Sequence, residues 1–148
     1  IIKIIINMLC VKEQFFKKSP PKSTGRELFN INWLNKFSIK KYSPEDVQRT
    51  LLELTAASIN NAIKSFCSGI DEIYVCGGGS QNKFLIERLK SITGIDINNT
   101  DKLSIPTQQV EAIAFAWLAD KCLKKEKNNS PTITGSKGPR ILGVIHYS

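Results

Sequence analysis

The chain has 148 residues, 41% of them hydrophobic, and 21 Lys and Arg against 13 Asp and Glu give it a formal net charge of +8. That length supports one compact domain burying roughly 68 to 70% of its unfolded surface. A single histidine, His146, and four scattered cysteines without any Cys-x-x-Cys pair leave almost no material for a histidine metal site, a Ser-His-Asp triad or a zinc finger.

The positive balance points to an anionic partner, whether nucleic acid, a membrane surface or a phosphorylated small molecule. Lysines are nevertheless mixed with acids throughout, and the one basic run, Lys121 to Lys127, reads as a solvated helix end. Cys10, Cys67, Cys76 and Cys122 lie far apart, three of them in apolar settings typical of buried free thiols, which suits a reducing compartment such as the cytoplasm.

The opening IIKIIINMLCV is apolar but interrupted by Lys3 and Asn7, so it reads as neither a membrane span nor a signal peptide. Residues 4–16 fit a short amphipathic helix or a strand end, and residues 1–18 as a whole read as a connecting helix. SPPKSTGRELFN, residues 19–30, begins with two prolines that stiffen the backbone and remove donors. Lys22, Ser23, Thr24, the Gly25 amide and Arg26 then offer cations and small donors to a phosphate or a polyhydroxylated ligand. The competing reading is a helix start, with Thr24 and Glu27 at capping-box spacing. Glu27 to Phe37 is aromatic-rich and reads as packing.

A long helix follows, with Ser43 as cap, Pro44 at its first position, Glu45 and Asp46 in its first turn, and Gly69 as its stop. Ile70 to Cys76 is β-branched and aromatic, a strand that runs directly into Gly77, Gly78 and Gly79. Residues 82–93 recover helical spacing and stop at Gly94, and residues 95–98 form a second strand. Thr107 caps a further helix in which Val110, Ile113, Ala114, Trp117, Leu118 and Lys121 share a face, while Ala112, Ala116 and Ala119 invite close neighbours; this helix is expected to be well packed. Residues 128–140 have the composition of a surface loop, and residues 141–146 (ILGVIH) close the chain as a strand. Alternating strands and helices describe an α/β architecture with parallel pairing, whose ligands bind at the strand carboxyl ends.

VCGGGSQN is therefore the most informative stretch. Three glycines between strand and helix allow a ligand close to the backbone, and their N–H groups suit an anion. The segment lacks the Lys-Ser/Thr of a Walker loop, and Asn82 replaces the third glycine of a dinucleotide fingerprint, but nucleotide phosphate contact fits. Tight strand-to-helix packing is the alternative reason for such a turn. Glu111, in the first turn of its helix, is either an ordinary dipole partner or a carboxylate placed along a cleft to hold sugar hydroxyls. Asp96 and Asp101 either touch Mg²⁺ or ribose, or cap loops.

PPKSTGRELFN, VCGGGSQN and VEAIAFAWLA, in this order and spacing, together with PTITGSKGPRILGVI, resemble the C-terminal part of the anhydro-N-acetylmuramic acid kinase family. The resemblance runs from about residue 4 to the end of the sequence. It implies a single truncated domain over residues 1–148, the C-terminal lobe of an actin-like, ribonuclease H-like sugar-kinase ATPase fold. Such kinases use ATP, with Mg²⁺, and water to open the 1,6-anhydro bond of the muramic sugar while phosphorylating its 6-oxygen. The product, N-acetylmuramic acid 6-phosphate, enters cell-wall recycling in the cytoplasm. By the same resemblance Gly77, Gly78, Gly79 and Asn82 approach the nucleotide, Glu111 lies near the sugar, and Lys22, Ser23, Thr24 and Arg26 line or brace the cleft.

The N-terminal lobe, with its Gly-Thr phosphate loop, and the DxGPGN-like segment carrying the water-activating base are absent from these residues. The lone chain is thus expected to be inactive or very slow, with a separately encoded N-terminal lobe as one route to a complete site and a homodimer as another association. The resemblance implies no nucleic-acid or membrane partner. The rival readings are a catalytically silent protein-interaction module or remnant, and a basic nucleic-acid-binding domain whose affinity would fall steeply with salt.

Overall fold

A computed structural model gives the fold over residues 13–146. The reading of residues 4–16, and the connecting helix over 1–18, fall mostly outside that span; inside it, Gln14–Lys17 is a 3-10 turn whose N-cap, Glu13, accepts from the Phe15 amide. The helices are α1 (Ile31–Asn35), α2 (Pro44–Phe66), α3 (Lys83–Thr93), α4 (Val110–Leu123) and α5 (Pro131–Thr134). The strands are β1 (Glu72–Val75) and β2 (Asp96–Asn99).

Local chemistry sets most of these boundaries. Ser43 Oγ accepts from the Asp46 amide at 3.2 Å and Pro44 opens α2, as its sequence pattern predicts. The Thr24–Glu27 capping box does not form. Glu27 instead accepts from the Gly25 amide at 2.6 Å, and Asn30 caps α1 through the Trp33 amide at 3.0 Å. Asn30 also donates to the Arg26 and Glu27 carbonyls, so it ties the preceding turn to the helix it starts. Gly94, at φ +68°, closes α3 in the left-handed conformation.

β1 and β2 pair in parallel, Glu72 beside Asp96 and Val75 beside Asn99, with α3 as the crossover between them. Two apolar clusters flank α2. Trp33, Phe37 and Leu54 are buried with Phe16, Phe29, Leu34, Ile39 and Leu51 around them, and Phe29, Trp33 and Phe37 meet edge-on at ring separations of 5.0 and 5.1 Å. On the other side Ala56, Leu89 and Ile97 join Ile73, Val75, Leu85, Ile86 and Ile92, which seats α2 and α3 against the sheet. This is a mixed α/β arrangement with a small parallel sheet, as the alternation predicts.

Several expectations are corrected. Residues 141–146 form no strand; Asn128 takes the place of a neighbouring strand, accepting from the Leu142 amide at 2.6 Å and donating to the Leu142 and Leu118 carbonyls, each at 3.2 Å. The predicted loop over 128–140 contains α5. Cys67 and Cys76 are exposed and Cys122 is half-buried, because Cys67 and Cys76 follow the ends of α2 and β1 rather than facing either cluster.

The largest departure is α4, which buries none of its residues among those described. Phe115 is 71% exposed, Leu123 68% and Trp117 50%, although a helix apolar on nearly every face belongs inside a protein. Its expected close packing is not supplied by residues 13–146. No helix among the described residues is long and apolar enough to cross a membrane.

Candidate functional site

The glycine turn lies where the sequence places it, at the carboxyl end of β1. Gly77 takes φ +72° and ψ −171°, a conformation essentially restricted to glycine, and Gly78–Gln81 continue as a 3-10 turn into the Asn82 cap of α3. Asn82 accepts from the Leu85 amide at 3.1 Å. A Cβ placed on Gly77, Gly78 or Gly79 would meet nothing within 4 Å. Close strand-to-helix packing therefore does not require glycine at 78 or 79, whereas a ligand laid against the backbone would. As the first residues of a 3-10 turn, Gly78 and Gly79 have amides that precede any carbonyl the turn can offer them.

The turn is held from the loop that follows β2. The Gly77 amide donates to the Thr107 carbonyl at 3.0 Å, and the Gly77 carbonyl accepts from the Ser80 amide (3.1 Å), the Ser80 hydroxyl (2.6 Å) and the Gln108 side chain (3.2 Å). Asp101 accepts from the Thr107 amide at 2.9 Å and from its hydroxyl at 2.7 Å. These two bonds, the hydroxyl's first, hold the Asp101 carboxyl below its ordinary range. Thr107 is nearly buried and is no helix cap; Gln109 occupies that position for α4. Ser80, Gln81, Asn99, Asp101, Pro106, Thr107, Gln108 and Gln109 line a cleft of about 360 Å³ at the carboxyl ends of both strands, where ligands of open α/β sheets bind.

Glu111 follows as the second residue of α4 and is exposed. Asp96 is the first residue of β2, at the far end of the sheet from the turn, where it pairs with Lys90 at 3.4 Å. Of the two aspartates only Asp101 reaches the cleft, and it acts as a loop brace. Both of its oxygens are engaged by Thr107, and no group of three His, Cys, Asp or Glu among the described residues could hold a metal. Among the described residues the donor set does not fit a protein-held Mg²⁺.

Lys22, Ser23, Thr24 and Arg26 occupy a different place. Lys22 Nζ donates to the Phe15 carbonyl at 3.4 Å and sits 5.1 Å from the Phe15 ring centre. It lines a groove of about 540 Å³ with Ser58, Ile59, Ala62 and Phe66 of α2, and this groove shares no lining residue with the strand-end cleft. Among the described residues no hydrogen bond or ion pair joins Lys22 to Arg26 with the glycine turn or Glu111. A third groove, about 770 Å³ between α2 and α3, reaches Asn82 and carries Arg49 over the Phe84 ring.

Sequence reasoning identifies the turn but misses Gln108 and Ser80, and takes Thr107 as a cap. The available signal is the serine three residues after Gly77, a spacing that suits a hydroxyl bonding back to a turn carbonyl. Nothing in the sequence alone aligns Gln108 with Gly77 across 31 positions.

Residues 2–148 match the family model for anhydro-N-acetylmuramic acid kinase. Relatives named anhydro-N-acetylmuramic acid kinase include one from Pseudomonas syringae pv. syringae, 47% identical over 92% of this chain and 38% of the relative. One from Nitrosospira multiformis is 47% identical over 89% and 36%, and one from Coxiella burnetii 41% identical over 98% and 39%. The chain thus spans well under half the length of the curated relatives it matches. Over that span, it belongs to the anhydro-N-acetylmuramic acid kinase family.

Proposed function

We propose that this chain is the C-terminal lobe of an actin-like sugar-kinase fold and supplies part of the site at which ATP phosphorylates anhydro-N-acetylmuramic acid. The observation that carries the reading is the glycine turn: open backbone at Gly78 and Gly79, at the carboxyl end of a parallel strand, beside a polar cleft. In this reading the amides of Gly77, Gly78 and Gly79 and the side chain of Asn82 meet the nucleotide. Glu111 faces the sugar hydroxyls, and Lys22, Ser23, Thr24 and Arg26 brace the cleft between lobes.

The reaction passes the γ-phosphoryl group of ATP to the sugar 6-oxygen as water opens the 1,6-anhydro bond, giving N-acetylmuramic acid 6-phosphate for cytoplasmic cell-wall recycling. Positioning and charge stabilisation dominate such a transfer. This chain offers amides and a sugar-facing carboxylate. The phosphate loop and water-activating base of the other lobe belong to a separately encoded partner or a longer polypeptide, and Mg²⁺ accompanies the nucleotide rather than being caged by this chain. Alone, the chain turns over negligibly.

Calorimetry tests this directly. ATP and the anhydro-sugar should bind when the chain is mixed with the matching N-terminal lobe, and absence of both heats would defeat the reading. A second reading, a silent protein-interaction module, is favoured by one observation, the exposed apolar surface of α4. It predicts capture of a partner other than the kinase's own N-terminal lobe, with no nucleotide binding in that complex; self-association into a homodimer is the other outcome that surface would support.

A further inference from the structure

The glycine turn is shaped without side-chain packing. Nothing lies within 4 Å of a Cβ on Gly77, Gly78 or Gly79, so the turn is held by hydrogen bonds made to its backbone, from main-chain and side-chain groups alike. Among the described residues, those reaching Gly77 from outside the turn come from two adjacent positions, the Thr107 carbonyl and the Gln108 side chain. Thr107 in turn is fixed from both sides of its backbone. Its amide and hydroxyl bind the two oxygens of Asp101, at 2.9 and 2.7 Å, while its carbonyl receives the Gly77 amide at 3.0 Å.

We propose that Asp101 is a positioning residue for the nucleotide turn: its carboxylate holds Thr107 and Gln108 so that they hold Gly77. The proposal rests on the nucleotide reading for its purpose, but the mechanical relay is independent of it. Without the carboxylate, a nearly buried amide and hydroxyl lose their acceptor, and such groups are not left unpaired in place. The loop then rearranges. Its other hydrogen bonds are local ones: the Ser104 amide to the Asp101 carbonyl at 2.9 Å, the Ile105 amide to the Thr100 carbonyl at 3.1 Å, the Gln109 amide to the Pro106 carbonyl at 2.8 Å and the Thr100 hydroxyl to the Thr107 hydroxyl at 3.4 Å. None of them replaces the two acceptors that Asp101 gives Thr107. The same loop leads through Gln109 into α4.

The test uses the chain as it is. Amide hydrogen exchange by NMR reports on Gly77 and Ser80, whose N–H groups are bonded only while the turn keeps its shape. Asp101→Ala and Thr107→Val should each speed exchange at both amides by about tenfold, the loss of one or two net hydrogen bonds. The double variant should add little to either, and Thr107→Ser, which keeps the hydroxyl, should restore protection. Asp96→Ala, at the other end of β2, is the control for general loosening and should leave Gly77 unchanged.

Calorimetric titration with ATP, on the chain with the N-terminal lobe added, is run in parallel. Weaker ATP binding by Asp101→Ala together with the faster exchange supports the proposal. Faster exchange with no ATP binding even by the parent chain supports the relay and counts against the nucleotide reading alone. Unchanged exchange at Gly77 in Asp101→Ala overturns the proposal whatever ATP does, as does ATP affinity unaffected by that substitution.

Discussion

Phe115 and Leu89 offer a direct comparison of what α4 and α3 contribute within this chain. Leu89 is 3% exposed between α2 and the sheet, whereas Phe115 is 71% exposed. Fully burying a phenylalanine stabilises a protein by about 1.5 to 3 kcal/mol, so the fraction that Phe115 retains amounts to about 0.5 to 1 kcal/mol. Leu89→Ala, by contrast, removes three carbons from a filled cluster and should cost about 2 to 5 kcal/mol. Serine and phenylalanine have similar helix propensities, so Phe115→Ser should change stability by no more than about 1 kcal/mol.

Urea unfolding of the parent chain and the two variants at constant slope measures both losses. On the proposed reading an added N-terminal lobe of the family buries Phe115, and Phe115→Ser should then weaken assembly by about 30-fold, the equivalent of about 2 kcal/mol. A loss of about 2 kcal/mol or more for Phe115→Ser in the chain alone would refute the reasoning, because it would mean that residues of this chain already cover α4 in solution.

Gly77→Ala should destabilise the chain by about 1 to 2 kcal/mol, since its φ of +72° penalises any Cβ, and denaturant unfolding reads this. Gly78→Ala and Gly79→Ala meet no atom and should stay within about 0.5 kcal/mol of the parent, yet both should weaken ATP binding in calorimetry. Asn128→Ala strips the partners from Leu118 and Leu142; a cost of about 1 to 3 kcal/mol and faster proteolysis after residue 135 are expected. The Asp101 carboxyl is held below its ordinary 3.8 by Thr107, so its bond is fully present above that value and lost as pH falls through the lower folded value. Gly77 protection should accordingly be flat above about pH 5 and fall only in stronger acid, as exchange corrected for its intrinsic rate would show.

Elements governed by neighbours in sequence were legible from residue types. Ser43 and Pro44 mark the start of α2, Gly94 the end of α3, and the Ile70 to Cys76 run contains β1 with its glycine turn attached. Where several residues competed for one role, type alone chose wrongly: Asn30 wins the cap of α1 over Thr24, and α4 starts at Gln109 with no side-chain cap at all, Thr107 being committed to Asp101. The relay from Asp101 through Thr107 to Gly77 spans two loops and leaves no periodic trace. α4 is a different kind of miss. Its pattern predicts a well-packed helix, yet among residues 13–146 nothing covers its apolar side chains. ILGVIH likewise has strand composition and finds a side-chain amide instead of a ladder.

The two apolar clusters meet along α2, with Leu54 turned to the aromatic side and Ala56, two residues on, to the sheet. A helix of 23 residues is about 35 Å of stiff rod. Because the rod is embedded in both clusters, a rigid-body displacement of α2 carries the aromatic cluster and the sheet together, with their separation preserved. Bending would then fall outside the two clusters rather than between them.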